Sequence, residues 1–266
     1  MGNFSYKDNH LLYDENSDFE LAIISDIGDR EEQQDSFGYS IKSESGLIVI
    51  CDGMGGHQGG KFASSLAVQC YLNEYERYVE KFEPIVFFIE TAKAVDKKIY
   101  DTRSADGSKL NAGTTIAATI IDNKELFWLS VGDSRVYLKR NNEFIQVTFD
   151  QTYQLALNER LANGVISQEI YDREIINGAA LISYLGVGNL NILDYNNTPF
   201  KLQKDDVILI MSDGLYKLVS DSEIKCLIDN FNNIQDMITA LKTKAEHNAK
   251  NKINKDNITV SIIRIK

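Results

Sequence analysis

The sequence predicts an α/β protein with antiparallel strands, and two observations indicate this class. Short apolar runs of strand length are interspersed with long segments of helical period, beginning at residues 59–80. Between residues 114 and 148, four short runs of strand character follow one another through connections of two or three residues. Such connections join antiparallel neighbours, whereas parallel strands need long crossovers. We therefore expect an antiparallel meander and not a doubly wound parallel sheet.

The first part of the chain contains strands followed by two helices. Residues 1–18 show no periodicity, so a loose leader is expected there. Residues 19–26 and 35–41 read as strands, and the unbroken apolar run 47–51 suits a strand buried on both faces. An apolar stripe predicts a helix over 59–80, and a second helix begins near Pro84, because proline fits the first turn of a helix.

The second part of the chain returns to strands and ends with two helices and a strand. Polar residues with helix-like pieces at 153–163 and 167–176 follow the meander. On the same criteria, helices are predicted at 222–230 and 233–247, and strands at 114–121, 125–131, 135–140, 143–148, 180–185, 190–195, 207–212 and 257–265.

Composition limits the class of protein. The 266 residues are 43% hydrophobic and have only two prolines, without a linker-like stretch, so residues 1–266 are expected to form one domain. The net charge of −11 argues against a nucleic-acid or anionic-membrane surface. The chain shows no secretory signal, no membrane-spanning run and no CxxC spacing among its three cysteines. No membrane insertion and a cytoplasmic location are therefore expected.

Four aspartates share one context, because each lies beside Gly, Ser or Asn where an apolar run ends or restarts. They are Asp52, Asp133, Asp213 and Asp256. A single aspartate of this kind is usually a turn former or a cap. Four of them at one sheet edge would repel one another unless cations neutralise them, and hard oxygen ligands select Mg²⁺ or Mn²⁺. Three histidines and no paired cysteines disfavour zinc.

A glycine cluster and an arginine add features that suit phosphate chemistry. The glycines after Asp52 allow the backbone to approach an ion or a phosphate closely. Arg30 could clamp a phosphate with two hydrogen bonds, or could be an ordinary surface arginine in a charged loop.

The chain contains a series of short motifs, which are in chain order Gly28-Asp29-Arg30, Gln33-Gln34-Asp35-Ser36, Asp52-Gly53-Met54-Gly55-Gly56-His57, Gly113-Thr114-Thr115, Gly132-Asp133-Ser134-Arg135, Ser212-Asp213-Gly214-Leu215 and Asp256-Asn257-Ile258-Thr259. In this order, the motifs make the chain similar to the PPM (type 2C) family of metal-dependent serine/threonine protein phosphatases, in its bacterial-type form. The resemblance implies two antiparallel sheets packed face to face with helices on both outer sides. It also implies a variable flap at about 149–180, beside the cleft.

The resemblance implies hydrolysis of phosphoserine and phosphothreonine on proteins by a water activated between two divalent ions, Mn²⁺ or Mg²⁺, with room for a third. By motif match, Arg30 would bind the substrate phosphate. Asp52 and the Gly53 carbonyl, with Asp213, Asp256 and Asp133, would hold the ions, and Gln34, Asp35 and His57 would support them. The expected partner is a phosphorylated protein, such as a Ser/Thr kinase or its targets, and the expected state is a monomer.

Three positions depart from the family pattern. Gln34 stands where many members carry Glu, and Met54 stands where the animal branch carries a histidine that acts as general acid. We do not transfer that acid role to His57. Lys217 occupies a position that is acidic or hydroxylic in some members, which would weaken a third ion site.

Two alternative functions remain open. Residues 55–61 match the P-loop spacing of nucleotide-binding enzymes, although Phe62 stands where Ser or Thr should hold Mg²⁺. A phosphoprotein-binding regulatory module with the same fold and weak catalysis is the other alternative, suggested by Gln34 and Lys217.

Overall fold

In a computed structural model, which describes residues 10–56, 59–77, 82–250 and 254–266, the strands form two antiparallel sheets. The first sheet contains β3 (Asp35–Ile41), β4 (Ser45–Gly55), β5 (Ala112–Thr114), β6 (Ile116–Asp122), β7 (Glu125–Val131), β10 (Asp194–Tyr195) and β11 (Phe200–Lys201). The second contains β1 (His10–Glu15), β2 (Phe19–Asp26), β8 (Arg135–Arg140), β9 (Glu143–Gln146), β12 (Val207–Met211) and β13 (Ile258–Ile265).

Helices cover the outer face of each sheet. On the first sheet lie α1 (Gly59–Arg77) and α2 (Pro84–Asp101). On the second lie α5 (Asp213–Tyr216), α6 (Asp221–Asn230) and α7 (Ile234–Ala249). A separate segment carries α3 (Tyr153–Ala162), α4 (Gln168–Glu174) and a 3-10 turn (Ile175–Asn177). No helix in the described ranges is long and apolar enough to cross a bilayer.

The core has three apolar layers, which explains why the central strands are apolar on both faces. Side chains such as Ile48 and Ile210 fill the space between the sheets. Val49 points the other way, toward α1 and α2, and Leu209 points toward α6 and α7. The expected sandwich of two sheets between helices is therefore confirmed.

The expected four-strand meander is only partly correct. β6 pairs with β7, and β8 pairs with β9, but β7 and β8 lie in different sheets. The connection 132–134 has the length of a hairpin, yet Gly132 adopts φ 101° and the chain passes to the second sheet instead of folding back. Asp133 therefore lies where the chain crosses between the sheets.

Several local expectations were wrong. The expected leader contains the strand β1, and residues 1–9 lie outside the described part. Residues 180–185 make only single bridges to Thr114 and Thr152, and 190–195 form a strand only at β10. The end of the helix predicted at 59–80 is not tested, because residues 78–80 lie outside the described part. β5, β11 and α5 were not predicted, since each is only two to four residues long.

The P-loop alternative is excluded by the strand pairing. β4, which precedes the glycine cluster, pairs antiparallel with both β3 and β6. A P-loop enzyme needs a parallel sheet at this position, with its strands joined by crossover helices.

Candidate active site

One end of the sandwich opens into a cleft of about 1820 Å³. Its lining combines residues from both sheets and from the loops that join them. Among the lining residues are Arg30, Gln34, Asp52, Gly53, Met54, Asp133, Asp213, Lys217 and Asp256. The structure thus brings the four strand-end aspartates, which are up to 204 positions apart in the sequence (52 to 256), to one place. His57 lies outside the described residues.

Asp35 lies beneath the cleft and directly opposite Asp52 in the pairing of β3 with β4. The Asp35 side chain is buried, and its Oδ2 accepts a hydrogen bond of 2.8 Å from Ser212 Oγ. Burial, aided by Asp213 and Asp256, raises the pKa of Asp35 to about 7, although the hydroxyls of Ser212 and Thr259 oppose this shift.

Asp52 and Asp133 experience the same crowding. Burial, followed by the charges of Asp35 and Asp213, raises the pKa of Asp52 well above its ordinary value. Burial and then Asp213 raise the pKa of Asp133 to about 6, while Lys217 acts in the opposite direction. These carboxylates therefore repel one another at neutral pH, which a bound cation would relieve.

Two threonines fix the backbone of Asp52. Thr115 Oγ1 accepts a hydrogen bond of 3.0 Å from the Asp52 amide, and Thr115 N donates to the Asp52 carbonyl at 2.9 Å. Thr114 Oγ1 donates to the same carbonyl at 2.9 Å. The sequence offered Gly113-Thr114-Thr115 only as part of a motif, and this anchoring role became visible through the pairing of β4 with β5.

Gly53 lines the cleft at a position where no side chain has room. A Cβ on Gly53 would lie 2.2 Å from the carbonyl oxygen of Gly60, at the start of α1, so that only glycine fits. The amide of Gly53 donates to the carbonyl of Gln34 at 3.2 Å, which ties the end of β4 to the loop that precedes β3.

The other two aspartates face basic side chains. Asp213 begins α5 and forms an ion pair with Lys217, one helical turn later. Asp256, just before β13, accepts a hydrogen bond of 2.8 Å from Arg30 Nη2. Both cations compete with any other cation for these carboxylates.

Asn257 holds the loop that carries Arg30, a role that the sequence did not suggest. Its Oδ1 accepts from the Gln34 amide at 2.8 Å, and its Nδ2 donates to the Ile27 carbonyl at 2.8 Å. Gly28, at φ 65°, packs so tightly against Asp256 that a Cβ would lie 2.3 Å from the Asp256 carbonyl oxygen. Arg30 is thereby fixed beside Asp256.

The donor set fits a hard divalent cation by its chemistry. All the candidate ligands are oxygens, and buried Asp213 Oδ1 and Asp35 Oδ1 have no hydrogen-bond partner among the described residues. Within those residues, however, no three acidic, histidine or cysteine side chains form a ready-made metal site. Binding would therefore require Asp213 and Asp256 to exchange their ion pairs with Lys217 and Arg30 for an ion.

The protein phosphatase 2C family model matches residues 25–255. The chain belongs to the protein phosphatase 2C family. This result confirms the resemblance that the motifs carried. It also agrees with the observed sandwich, in which each of the motifs contributes at least one residue to the lining of one cleft.

Relatives and solved structures that are named as serine/threonine phosphatases match most of the chain. A serine/threonine phosphatase stp of Listeria monocytogenes is 29% identical over 241 residues, which span 88% of this chain and 90% of that protein. A Streptococcus agalactiae serine/threonine phosphatase structure is 26% identical, with a TM-score of 0.78, and the match covers 93% of this chain and 100% of that one. The catalytic domain of PstP, in complex with two manganese ions, shares the fold at 24% identity, with a TM-score of 0.72 and coverage of 93% and 98%.

Proposed function

We propose that this chain is a metal-dependent phosphatase that hydrolyses phosphoserine and phosphothreonine monoesters on proteins. The observation that carries the proposal is the convergence of Asp52, Asp133, Asp213 and Asp256 on one cleft, together with Arg30. Membership of the protein phosphatase 2C family and the names of the phosphatase relatives support the same reaction.

The cleft residues divide into ligands and supporting residues. Asp52, Asp213, Asp256 and the Gly53 carbonyl would hold two ions, Mn²⁺ or Mg²⁺, and Asp133 would support the cluster or a third ion. Gln34 and Asp35 would hold the surrounding hydrogen bonds. Two such cations supply positive charge for the phosphoryl oxygens and lower the pKa of the attacking water.

Arg30 would bind the phosphoryl oxygens of the substrate. Its guanidinium can offer two parallel hydrogen bonds to a phosphate, and its side chain is half exposed at the cleft. If Asp256 held a cation, the Arg30 guanidinium would no longer be needed to balance its charge and would be available to the phosphate. Met54 also lines the cleft but has no proton to transfer, so we assign the protonation of the leaving alkoxide to solvent.

We propose that residues 149–180 form a flap that contributes to substrate selection. Ala179, at the end of this segment, and the adjacent Leu181 line the cleft. Phosphorylated proteins, such as a Ser/Thr kinase or its targets, are the proposed substrates, and we propose that the enzyme acts as a monomer. All three cysteines are free, as is usual in the reducing cytoplasm, the compartment that we propose.

A regulatory module with weak catalysis is the second candidate. The observation that favours it is the ion pair of Lys217 with Asp213, because a fixed ammonium group reduces the charge that draws a metal ion. A protein of this kind would bind phosphopeptides but would release little phosphate.

The decisive experiment measures phosphate release from a phosphothreonine peptide while Mn²⁺ or Mg²⁺ is titrated. We expect activity that chelation abolishes and added metal restores. Asp213→Asn should lose most of this activity, whereas Asp229→Asn, which alters a lysine-paired aspartate on α6, should retain it. Peptide binding without hydrolysis at any metal concentration would favour the regulatory module. An Asp213→Asn protein with full activity would refute the ligand assignment.

A further inference from the structure

We propose that Tyr216 is a positioning residue that orients the Asp133 carboxylate in the cleft, and that Arg135 and Asp150 hold Tyr216 in place. The inference rests on the proposed function, because it treats Asp133 as part of the ion-binding cluster. It assigns a role to three side chains that do not themselves need to touch an ion or a substrate.

The contact between Tyr216 and Asp133 joins two different chain segments. The Tyr216 hydroxyl lies 3.2 Å from the Asp133 carbonyl oxygen and 3.2 Å from Asp133 Oδ2. A phenol carries one proton, which it donates to one of these oxygens at a time. Because Tyr216 follows Asp213 by three residues in α5, the same short helix presents a cleft carboxylate and the group that restrains its neighbour.

The ring of Tyr216 is itself held by an arginine. The Arg135 guanidinium carbon lies 3.5 Å from the ring centroid, a cation–π arrangement. Arg135 is fixed by two hydrogen bonds to Asp150, at 2.9 and 2.6 Å, and by a third to the Tyr137 hydroxyl at 3.0 Å. The Arg135 side chain is only 19% exposed, so these bonds are largely shielded from water.

The backbone around Asp133 is fixed independently by Gln151. The buried Gln151 amide oxygen accepts from the Gly132 N–H at 3.0 Å, and the Gln151 N–H donates to the Gly132 carbonyl at 2.9 Å. With the main chain held, the remaining freedom of Asp133 is the rotation of its side chain, which Tyr216 restrains. Asp150 and Gln151 are adjacent residues, so one short stretch at the start of the proposed flap anchors both the backbone and the side chain of Asp133.

A hydrogen bond of this kind affects the affinity for an ion and not only the stability of the fold. Loss of a partner that orients a ligating carboxylate typically weakens metal binding by about 10- to 100-fold. A residue that merely fills space would alter the stability of the fold without altering the affinity for an ion.

The test compares two deletions of a tyrosine hydroxyl. Tyr216→Phe removes the contact with Asp133 and retains the ring beneath Arg135. Tyr71→Phe is the matched control, because its buried hydroxyl donates to the Phe88 carbonyl at 3.0 Å, outside the network around Asp133. Isothermal titration calorimetry of the full chain with Mn²⁺ alone measures the affinity of each bound ion. In Tyr216→Phe, the ion with the lowest affinity should bind about tenfold more weakly than in the wild type. The Mn²⁺ affinity of the control variant should stay within about twofold of the wild-type affinity, although both variants lose a hydrogen bond.

Equal Mn²⁺ affinities in the wild type and Tyr216→Phe would overturn the positioning role, and so would equal losses in both variants. If Tyr216→Phe does not fold, Arg135→Lys replaces it in the same measurement of Mn²⁺ affinity. Lysine keeps the charge but loses the two hydrogen bonds to Asp150 that hold the residue over the Tyr216 ring. Wild-type protein that binds no Mn²⁺ would overturn the proposed function itself. Wild-type binding with an unaffected Tyr216→Phe would overturn only the inference.

Discussion

Three neighbouring strands, β8, β12 and β13, carry charged residues at both ends, and the two ends differ. At the end away from the cleft, Arg140 Nε pairs with Asp206 Oδ1 at 2.8 Å, and Arg264 pairs with Asp205 at 2.6 Å. At the cleft end, the same strands carry Asp133, Asp213 and Asp256, together with Asp52 from the other sheet.

The difference lies in how each end balances its charge. Away from the cleft, each of these aspartates has an arginine partner, so the charges are balanced within the chain. At the cleft, burial and then the charges of neighbouring carboxylates raise the pKa values of Asp35, Asp52 and Asp133. Aspartates at strand ends are therefore structural where each has its own arginine. They are candidate ligands at the cleft, where Arg30 and Lys217 pair with Asp256 and Asp213 but other carboxylates stay crowded.

The largest expected effect is on activity. Asp52→Asn should lower phosphopeptide hydrolysis in Mn²⁺ by about a thousandfold, because it removes a charge from the centre of the cleft. Asp206→Asn, at the other end of the sandwich, should leave the activity of the folded protein near that of the wild type. Steady-state kinetics of the two variants make this comparison, and similar losses in both would mean that the two ends do not differ in role.

The same two variants should change stability in opposite directions when metal is chelated. Asp206→Asn leaves Arg140 without its charged partner in a largely buried site and should lower the free energy of unfolding by about 3 kcal/mol. Asp52→Asn relieves the repulsion among the cleft carboxylates and should raise the free energy of unfolding by about 1 kcal/mol. Urea denaturation in EDTA measures both changes. A lower free energy of unfolding in Asp52→Asn would show that the cleft carboxylates do not destabilise the fold by repelling one another.

The crowding should also appear as a pH dependence of stability in the presence of chelator. The pKa of Asp35, raised from 3.8 to about 7, means that the folded state binds this proton more tightly than the unfolded chain. The stability gained is present at acidic pH and is lost as the pH rises through about 7, and the Asp133 carboxyl, with its pKa raised to about 6, acts in the same direction.

We expect these groups together to lower the free energy of unfolding by about 4 kcal/mol between about pH 5 and 7.5. Asp35→Asn should flatten this part of the profile, because the amide does not ionise. A wild-type profile identical to that of Asp35→Asn would contradict the raised pKa.

The smallest expected effect concerns the ammonium group of Lys217, which pairs with Asp213 in the cleft. Lys217→Gln removes the ammonium group that competes for Asp213 and should tighten Mn²⁺ binding by roughly two- to fivefold. Lys225→Gln is a matched control, since Lys225 forms a pair of the same spacing with Asp229 on α6. Calorimetry should show no change in the control. Weaker binding in Lys217→Gln would mean that the lysine supports the ion cluster.

Long elements with a clear period were the easiest to predict. The strands β2 and β3 have the predicted bounds, and α1 and α2 start at the predicted glycine and proline. These bounds follow from apolar runs and from glycine and proline, signals that neighbouring positions carry. The short strands β5 and β11 and the single bridges of residues 180–185 could not be predicted, because their partners are distant in the sequence.

Some residues of the candidate site could likewise be predicted from the sequence, and others could not. Asp52, Asp133, Asp213 and Asp256 could be selected because each follows or precedes an apolar strand beside a small residue. Thr115, Asn257 and Tyr216 could not be singled out, since their roles arise from hydrogen bonds to segments far away in the sequence.

The sequence by itself determined the family, the antiparallel class and the acidic residues of the cleft, because periodicity and motif spacing are properties of neighbouring positions. Only the tertiary structure decided that 132–134 crosses between sheets, and that Asp206 meets an arginine while Asp52 meets carboxylates. The physical reason is that charge balance and hydrogen bonding depend on distances in space, which chain packing sets.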